Sequence, residues 1–146
     1  MENIENKIAA LAKHLSIAPE QITFNGDYFD TEDGEEYFVF TDDEANEAAA
    51  REIKNSLWAF NANFILDCTE LAAGDCCYGD VVESLQTMQN KCCESCNEFI
   101  YALIESTCGI DEFIERAIYE DGRGHFISYY DGMEDESEDY YIYRRS

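Results

Sequence analysis

The feature that most constrains this fold is an apolar stripe at helical spacing between residues 41 and 64. Its members recur every three or four residues, so they share one face of an α-helix. Thr41 and Glu44 have the spacing of a capping box at a helix N-terminus. The bulky members come only in the second half, which we expect at the centre of the core, with the acid-rich first half toward solvent. The stripe consists of Ala45, Ala49, Ile53, Leu57, Phe60 and Phe64.

The same periodicity predicts three further helices. The first covers residues 2–15 and the last covers residues 111–119. Between them, a second long stripe is interrupted near Lys91 and closed by Gly109 as a C-cap. The central helix should bend or restart near Asn61 and end by Thr69. The second long stripe contains Val81, Leu85, Met88, Cys92, Cys96, Phe99 and Leu103.

Four short runs rich in aromatic and β-branched residues predict strands. Residues 22–24 and 37–40 should pair as a hairpin with a long acidic connection, and residues 124–146 should hold two aromatic strands joined by an acidic turn. The expected fold is α+β, with about four helices packed on a small antiparallel sheet of about four short strands. We expect a single acidic domain that spans residues 1–146.

The chain carries 33 acidic and nine basic residues, a formal net charge of −24. Its hydrophobic content of 46% and aromatic content of 14% indicate a folded protein, because disordered acidic chains are poor in aromatic residues. This charge repels nucleic acid and anionic membranes, so we expect no direct nucleic-acid binding and a basic protein partner. No apolar run is long enough to span a membrane.

The acidic residues are concentrated in particular segments. Residues 27–36 hold six, residues 131–139 hold six more, and four extend the first cluster along the start of the central helix. One interpretation is that these carboxylates imitate a phosphate backbone; the alternative is that they cap helices and solvate loops. The predicted partner surface consists of Asp27, Asp30, Glu32, Asp33, Glu35, Glu36, Asp42, Asp43, Glu44, Glu47, Asp131, Glu134, Asp135, Glu136, Glu138 and Asp139.

The chain has seven cysteines, an odd number, which argues against a complete set of disulfides. Its N-terminal segment predicts an amphipathic helix and not a secretory signal. We therefore expect reduced thiols in an intracellular protein. Cys76, Cys77, Cys93 and Cys96 could supply a tetrahedral zinc site, although Cys96 also continues an apolar stripe as a small hydrophobe. The acidic loop near Gly34 lacks the residue order of an EF-hand. We predict no cofactor.

Few residues suggest catalysis. His14 and His125 are the only histidines, and Arg123, His125 and Asp131 together would suit phosphate chemistry. The chain has no Ser or Cys nucleophile motif and no paired histidine motif, so we predict that it is not an enzyme. Five tyrosines near the C-terminus offer a second type of contact surface, and an exposed strand there is compatible with a homodimer. They are Tyr129, Tyr130, Tyr140, Tyr141 and Tyr143.

Three segments resemble small acidic proteins encoded in bacteriophage genomes. They are EIKNSLWAFN at residues 52–61, DGRGHFISYYDG at 121–132 and YYIYR at 140–144, about a fifth of the chain. That group has no catalytic assignment, so the resemblance implies no functional residue. In size and charge, the chain is also similar to phage-encoded DNA mimics that block restriction or CRISPR nucleases.

These observations lead to one leading hypothesis and two alternatives. The leading hypothesis is a phage-encoded inhibitor in the cytoplasm of a bacterial host, of the anti-CRISPR or anti-restriction type, whose acidic surface occupies the groove of a nuclease or other nucleic-acid-handling complex. The first alternative is an accessory phage protein that binds through its aromatic strands. The second is a small zinc protein that uses the four cysteines named above.

Overall fold

The computed structural model describes residues 2–70 and 78–146 and has an α+β fold. The described residues form six helices of eight or more residues, one helix of five residues, and five strands, where the sequence predicted about four helices and four strands. In chain order the elements are α1 (Glu2–Leu15), β1 (Ile22–Phe24), β2 (Phe29–Thr31), β3 (Glu36–Phe40), α2 (Asp42–Asn55), α3 (Ala62–Thr69), α4 (Tyr78–Cys92), α5 (Asn97–Glu105), α6 (Ile110–Asp121), α7 (Arg123–Ile127), β4 (Asp135–Ser137) and β5 (Tyr140–Arg144).

Residue contacts group the chain into two compact units. Unit 1 comprises Met1–Ala50 and Asp121–Ser146, and unit 2 comprises Arg51–Glu120. Unit 1 contains the whole sheet with α1 and α7, whereas unit 2 contains α3, α4 and α5. The expectation of a single domain over residues 1–146 stays a prediction.

The five strands of unit 1 form one antiparallel sheet in the order β1-β2-β3-β5-β4. The predicted hairpin between residues 22–24 and 37–40 is wrong, because β2 lies between these strands and pairs with both. β2 forms inside the acidic connection because Phe29 is buried in the core, and Gly26, with a φ of +87°, permits the tight turn from β1.

Helix α1 covers one face of the sheet and confirms the helix predicted for residues 2–15. The register places Phe29 opposite Tyr37 and Val39 opposite Ile142, so alternate strand residues point to the same face. Leu11 of α1 is fully buried in the hydrophobic cluster that these strand residues form. Further apolar side chains of α1 complete the stripe, namely Ile4, Ile8, Ala12 and Leu15.

The segment before β4 differs from its prediction. Residues 123–127 form α7, and Tyr129 and Tyr130 lie in a bend after it, so the aromatic strand predicted here is wrong. Gly124 allows the loop at residues 132–134 to pack directly against its backbone, since a Cβ at Gly124 would lie 2.5 Å from the carbonyl oxygen of Gly132. Part of the acidic segment that was expected to be a turn forms β4, which pairs with β5.

The long central stripe is divided among three segments. The capping box at its start is confirmed, because Thr41 N–H donates to Glu44 Oε1 at 2.9 Å and Glu44 N–H donates to Thr41 Oγ1 at 3.2 Å. α2 ends at Asn55, and a 3₁₀ turn at Leu57–Ala59 follows. The restart near Asn61 is also confirmed, since its side chain accepts from Asn63 N–H at 2.8 Å and caps α3, which ends at Thr69.

Two amide side chains hold the break after α2. Asn97 donates to the carbonyl of Lys54 at 2.7 Å and accepts from Trp58 N–H at 3.1 Å. Gln89, which is buried, donates to the carbonyls of Trp58 and Phe60 at 3.0 and 2.8 Å. Because these backbone groups find partners, the break in the helix can lie inside unit 2 at little cost in unsatisfied hydrogen bonds.

The second predicted stripe is only partly correct. Leu85 and Cys96 are buried, but Cys92 is exposed and Phe99 is 57% exposed. A 3₁₀ turn at Cys93–Cys96 separates α4 from α5, and its tighter winding shifts the buried face of α5 to Ile100 and Ile104. The fully buried apolar side chains among the described residues of unit 2 include Ile53, Leu57, Ile65, Leu66, Ile100, Ile104, Phe113 and Ala117.

Candidate acidic interface

All sixteen residues of the predicted acidic surface lie in unit 1. Twelve are exposed, four are half-buried, and none is buried. Unit 1 contains twenty acidic residues against five Lys and Arg, a formal charge of −15, whereas unit 2 contains thirteen against four, a charge of −9. The excess of acid is therefore greater in the unit that carries the sheet.

The sheet topology separates the first acidic cluster into two groups. The turn from β1 to β2, the turn from β4 to β5 and the start of α2 meet at one end of the antiparallel sheet. The turn from β2 to β3 and the C-terminal end of β5 meet at the opposite end. The first end carries Asp27, Asp42, Asp43, Glu138 and Asp139, and the second carries Glu32, Asp33, Glu35 and Glu36.

Arg123 joins the two acidic clusters of the sequence. Its guanidinium donates to Asp42 Oδ1 at 2.8 Å and to Glu134 Oε1 at 2.9 Å, and Nη1 also donates to Asn46 Oδ1 at 3.1 Å. Its charged end lies 4.6 Å from the ring centre of Tyr141. Although burial lowers the pKa of Arg123, the hydrogen bonds to Glu134 and Asp42 raise it above its ordinary value, so the group is a permanent cation.

The same site contains a buried tyrosine. Tyr143 is fully buried and its hydroxyl donates to Glu134, the carboxylate that also accepts from Arg123. Burial and this hydrogen bond raise the pKa of Tyr143, so it remains a neutral donor. Glu134 is therefore fixed by two donors and positions the loop before β4.

The C-terminal arginines neutralise acids of the first cluster. Arg144 lies 3.4 Å from Glu35, and Arg145 is paired with Glu36. Both guanidinium groups stack on aromatic rings, Arg144 at 3.7 Å from the ring centre of Tyr130 and Arg145 at 4.2 Å from that of Tyr28. These arginines are accordingly held at the sheet end from two sides.

The remaining cations of unit 1 lie on α1 and are also paired. Lys7 contacts Glu44 at 2.8 Å, and Lys13 contacts Glu138 at 2.5 Å. His14 lies 3.6 Å from Asp135. Every Lys and Arg of unit 1 thus forms an ion pair, and the acid in each pair belongs to the predicted acidic surface.

Seven acids of the predicted surface have neither a hydrogen bond nor an ion pair from their side chains to other described residues. Six are exposed on turns, on α2 or on edge strand β4, and Asp30 is half-buried on β2. Asp30 lies directly opposite Glu36 in the β2–β3 ladder, and like charges so placed repel unless one is neutralised, as Glu36 is by Arg145. We call this set the open carboxylates: Asp27, Asp30, Asp33, Asp43, Glu47, Glu136 and Asp139.

Arg123, His125 and Asp131 form no hydrogen bond or ion pair with one another, and each contacts other residues. Arg123 is committed to two carboxylates, and the imidazole of His125 is exposed with its ring against Phe126. Asp131 accepts from Met133 N–H at 3.0 Å and lies 3.0 Å from the hydroxyl of Ser128. These contacts order the loop after α7, while the guanidinium of Arg123 is paired with Asp42 and Glu134.

The C-terminal tyrosines have different environments. Tyr143 is fully buried, and Tyr140 and Tyr141 are half-buried on β5. Tyr129 and Tyr130 are 62% and 58% exposed in the loop after α7, where the sequence had placed a strand. Met133 in the same loop is 57% exposed. Among the C-terminal tyrosines, the exposed ones therefore lie on this loop and not on β5.

The four cysteines of the zinc hypothesis cannot be placed as one group. Cys76 and Cys77 lie outside the described residues. Cys93 is exposed and Cys96 is buried, with its thiol 3.0 Å from the carbonyl of Cys93. Within residues 2–70 and 78–146, no three His, Cys, Asp or Glu side chains are grouped so that they could hold a metal ion.

Sequence reasoning missed two features of unit 2. An open cavity of about 530 Å³ is lined by Phe64, Arg116 and Tyr119 together with four acids. Cys68 and Cys108, forty residues apart, place their sulfur atoms 3.0 Å from each other. No local motif signals either feature, because both depend on α3 meeting the segment around α6. The four acids of the cavity are Asp67, Glu112, Glu115 and Glu120.

Comparisons with protein-family models, with curated proteins and with solved structures find no match for this chain. None of the helices formed by residues 2–70 and 78–146 has both the length and the apolar character needed to cross a membrane.

Proposed function

We propose that this protein is a phage-encoded, non-catalytic inhibitor whose acidic surface occupies the basic groove of a nucleic-acid-handling protein in the bacterial cytoplasm. The observation that carries the proposal is the division of charge in unit 1. All five Lys and Arg are used in ion pairs, while the seven open carboxylates remain without a partner among the described residues.

The separation of paired acids from open carboxylates suits a surface that imitates nucleic acid. The paired acids hold loops and helix ends in place, so the open carboxylates are borne by a scaffold that loses little conformational freedom on binding. Arg123 supports this rigidity, because it fixes the start of α2 and the loop before β4 at one point. A groove that binds DNA would exchange counterions for carboxylates, and association would be fast and dependent on salt.

Solubility alone explains the charge less well. A net charge of about 2 to 8 keeps a small domain soluble, whereas this chain carries −24. Self-repulsion of such a charge destabilises a compact fold, and unit 1 uses all of its Lys and Arg to offset it. A function that requires the charge accounts for the retention of open carboxylates on both ends of the sheet.

The first experiment identifies the partner. The purified protein is immobilised, exposed to a lysate of a bacterial host and eluted with a salt gradient. We expect a nuclease or another nucleic-acid-handling protein to elute at moderate salt, and we expect short duplex DNA to compete for it. A captured protein that survives high salt, or that duplex DNA does not displace, contradicts the proposal.

The second experiment uses two variants with equal charge. One converts the seven open carboxylates to Asn or Gln, and the other converts seven exposed acids of unit 2. We expect the first variant to bind the partner roughly 100-fold more weakly with a shallower salt dependence, and the second to stay within about threefold. Equal losses from both variants would mean that total charge matters and not the surface of unit 1. The control positions are Asp67, Glu83, Glu94, Glu98, Glu105, Glu115 and Glu120.

A second candidate function rests on the loop after α7. Tyr129, Tyr130 and Met133 are more than half exposed within five residues, and exposed aromatic and Met side chains are typical of protein contacts. An accessory protein that binds through this loop would lose its partner on Tyr129→Ser with Met133→Ser, with no change in salt dependence. Retention of binding by that double variant would exclude this candidate.

A further inference from the structure

Cys68 and Cys108 form a close pair of thiols in unit 2. Their sulfur atoms lie 3.0 Å apart, which is within contact distance, although forty residues separate them in sequence. Cys68 is buried at the end of α3, and Cys108 is half-buried in the connection between α5 and α6. We propose that this pair is a redox site, which a small-molecule disulfide such as glutathione disulfide converts reversibly to an intramolecular disulfide.

The two thiols have different roles because their environments differ. Burial, with a further contribution from the hydrogen bond to Cys108, raises the pKa of Cys68 to about 12, so Cys68 is seldom a thiolate at neutral pH. Cys108 is the more accessible of the two. Cys108 is therefore the attacking thiol and Cys68 is the resolving thiol.

The reaction proceeds by two exchanges. The Cys108 thiolate attacks one sulfur of glutathione disulfide, a mixed disulfide forms, and one glutathione leaves as a thiolate that takes up a proton. Cys68 then loses its proton and attacks the Cys108 sulfur, which releases the second glutathione. In total, two protein thiols and one glutathione disulfide become one protein disulfide and two glutathione thiols.

The other described cysteines are less suited to this reaction. Cys96 is buried with its thiol directed at the carbonyl of Cys93, and Cys92 and Cys93 are exposed. A bond between Cys68 and Cys108 would close a loop that includes α4 and α5, and it would tie the end of α3 to the start of α6. In a reducing cytosol the pair would stay open and respond to oxidative conditions.

The test is a redox titration of the full chain. The protein is equilibrated in mixtures of reduced and oxidised glutathione, quenched with an alkylating agent and mapped as peptides without reduction. We expect two peptides linked through Cys68 and Cys108, with a combined mass about 2 Da below that of the two peptides with free thiols. We also expect both thiols to be recovered fully in excess reduced glutathione. We also expect the Tm to rise by roughly 5 to 15 °C on oxidation.

Two variants complete the test. Cys108→Ala should fold with its reduced Tm nearly unchanged and should show no rise on oxidation, whereas Cys92→Ser with Cys93→Ser should retain both the link and the rise. A folded protein without the Cys68–Cys108 peptide at any glutathione ratio overturns the proposal. The proposal also fails if Cys68 or Cys108 pairs mainly with one of the other five cysteines.

Discussion

Units 1 and 2 are stabilised by different means. Unit 1 consists of a five-stranded sheet covered by α1, and all of its Lys and Arg form ion pairs with acids at its surface. Among the described residues of unit 2 there is a single ion pair, Arg116 with Glu112 at 3.7 Å. Unit 2 relies instead on apolar helices, on a cluster of Phe60, Phe64 and Phe113, and on the amides of Gln89 and Asn97.

The difference shows why net charge alone is a poor guide to function. Both units are acidic, but only in unit 1 are the cations used to fix acidic loops and helix ends. Charges on a fixed scaffold can present a defined field to a partner, whereas charges on the surface of a packed helix bundle mainly interact with solvent. Variants that act on one unit should therefore test the comparison.

The largest effect should come from Gly124→Ala in unit 1. The new Cβ would lie 2.5 Å from the carbonyl oxygen of Gly132 and 2.7 Å from the backbone carbon of Met133, so the loop that carries Glu134 must move. We expect the free energy of unfolding to fall by about 3 kcal/mol or more, measured by urea denaturation. Gly122→Ala is the control, because its Cβ meets open space and only its φ of +84° is strained. A loss of less than about 1 kcal/mol from Gly124→Ala would contradict the clash.

Gln89→Leu should have the next largest effect, in unit 2. The substitution leaves the carbonyls of Trp58 and Phe60 without the donor that now lies 3.0 and 2.8 Å away. We expect a loss of about 2 kcal/mol, with faster hydrogen exchange in residues 56–61. Gln86→Leu, at an exposed position of the same helix, should change stability by less than about 0.5 kcal/mol. Unchanged exchange near the break would show that Gln89 does not hold it.

Arg123→Met compares ion pairs in the two units. Arg123 is 12% exposed and its removal leaves Asp42 and Glu134 close together without their cation. We expect a loss of about 2 kcal/mol that added salt partly restores. Arg116→Met removes an exposed pair within a helix and should cost at most about 0.5 kcal/mol. Equal costs for the two arginines would remove the distinction drawn between the units.

The smallest expected effect is the pH dependence at Glu44. Burial raises its pKa, but hydrogen bonds from Lys7 and Thr41 outweigh burial and hold it below the ordinary value of 4.5. A lowered pKa in the folded state means that the contribution to stability is present above pH 4.5 and is lost as the pH falls through the lower, folded value. Glu44→Gln should therefore lower the Tm slightly at pH 7, and the difference from the unmodified protein should shrink below pH 4.5.

Local patterns predicted much of the fold. The stripe of α1, the capping box of Thr41 with Glu44 and the restart at Asn61 are correct because each depends on residues three or four positions apart. The α+β class is also correct. The patterns failed where distant residues decide the structure. β2 forms in a segment rich in acid because Phe29 is buried in the core of the sheet.

The candidate interface was predicted as a list of residues and not as an arrangement. The sequence indicated which carboxylates are concentrated, and all of them are at the surface of unit 1. It gave no sign that Arg123 would bind Asp42 and Glu134, because Asp42 is 81 positions from Arg123 and no helical or strand spacing links Arg123 to Glu134. Only the pairing of cations separates the open carboxylates from those that hold the fold.

The sequence by itself determined the charge, the main helices and the concentration of acid at strand connections, since these follow from composition and short-range periodicity. The tertiary structure decided which acids are paired, which tyrosines are exposed and which cysteines meet. Those outcomes depend on pairs such as Cys68 and Cys108, 40 positions apart, or Arg123 and Asp42, 81 positions apart, and on strand order that no local pattern encodes. Long-range packing therefore sets the chemistry of each site in this protein.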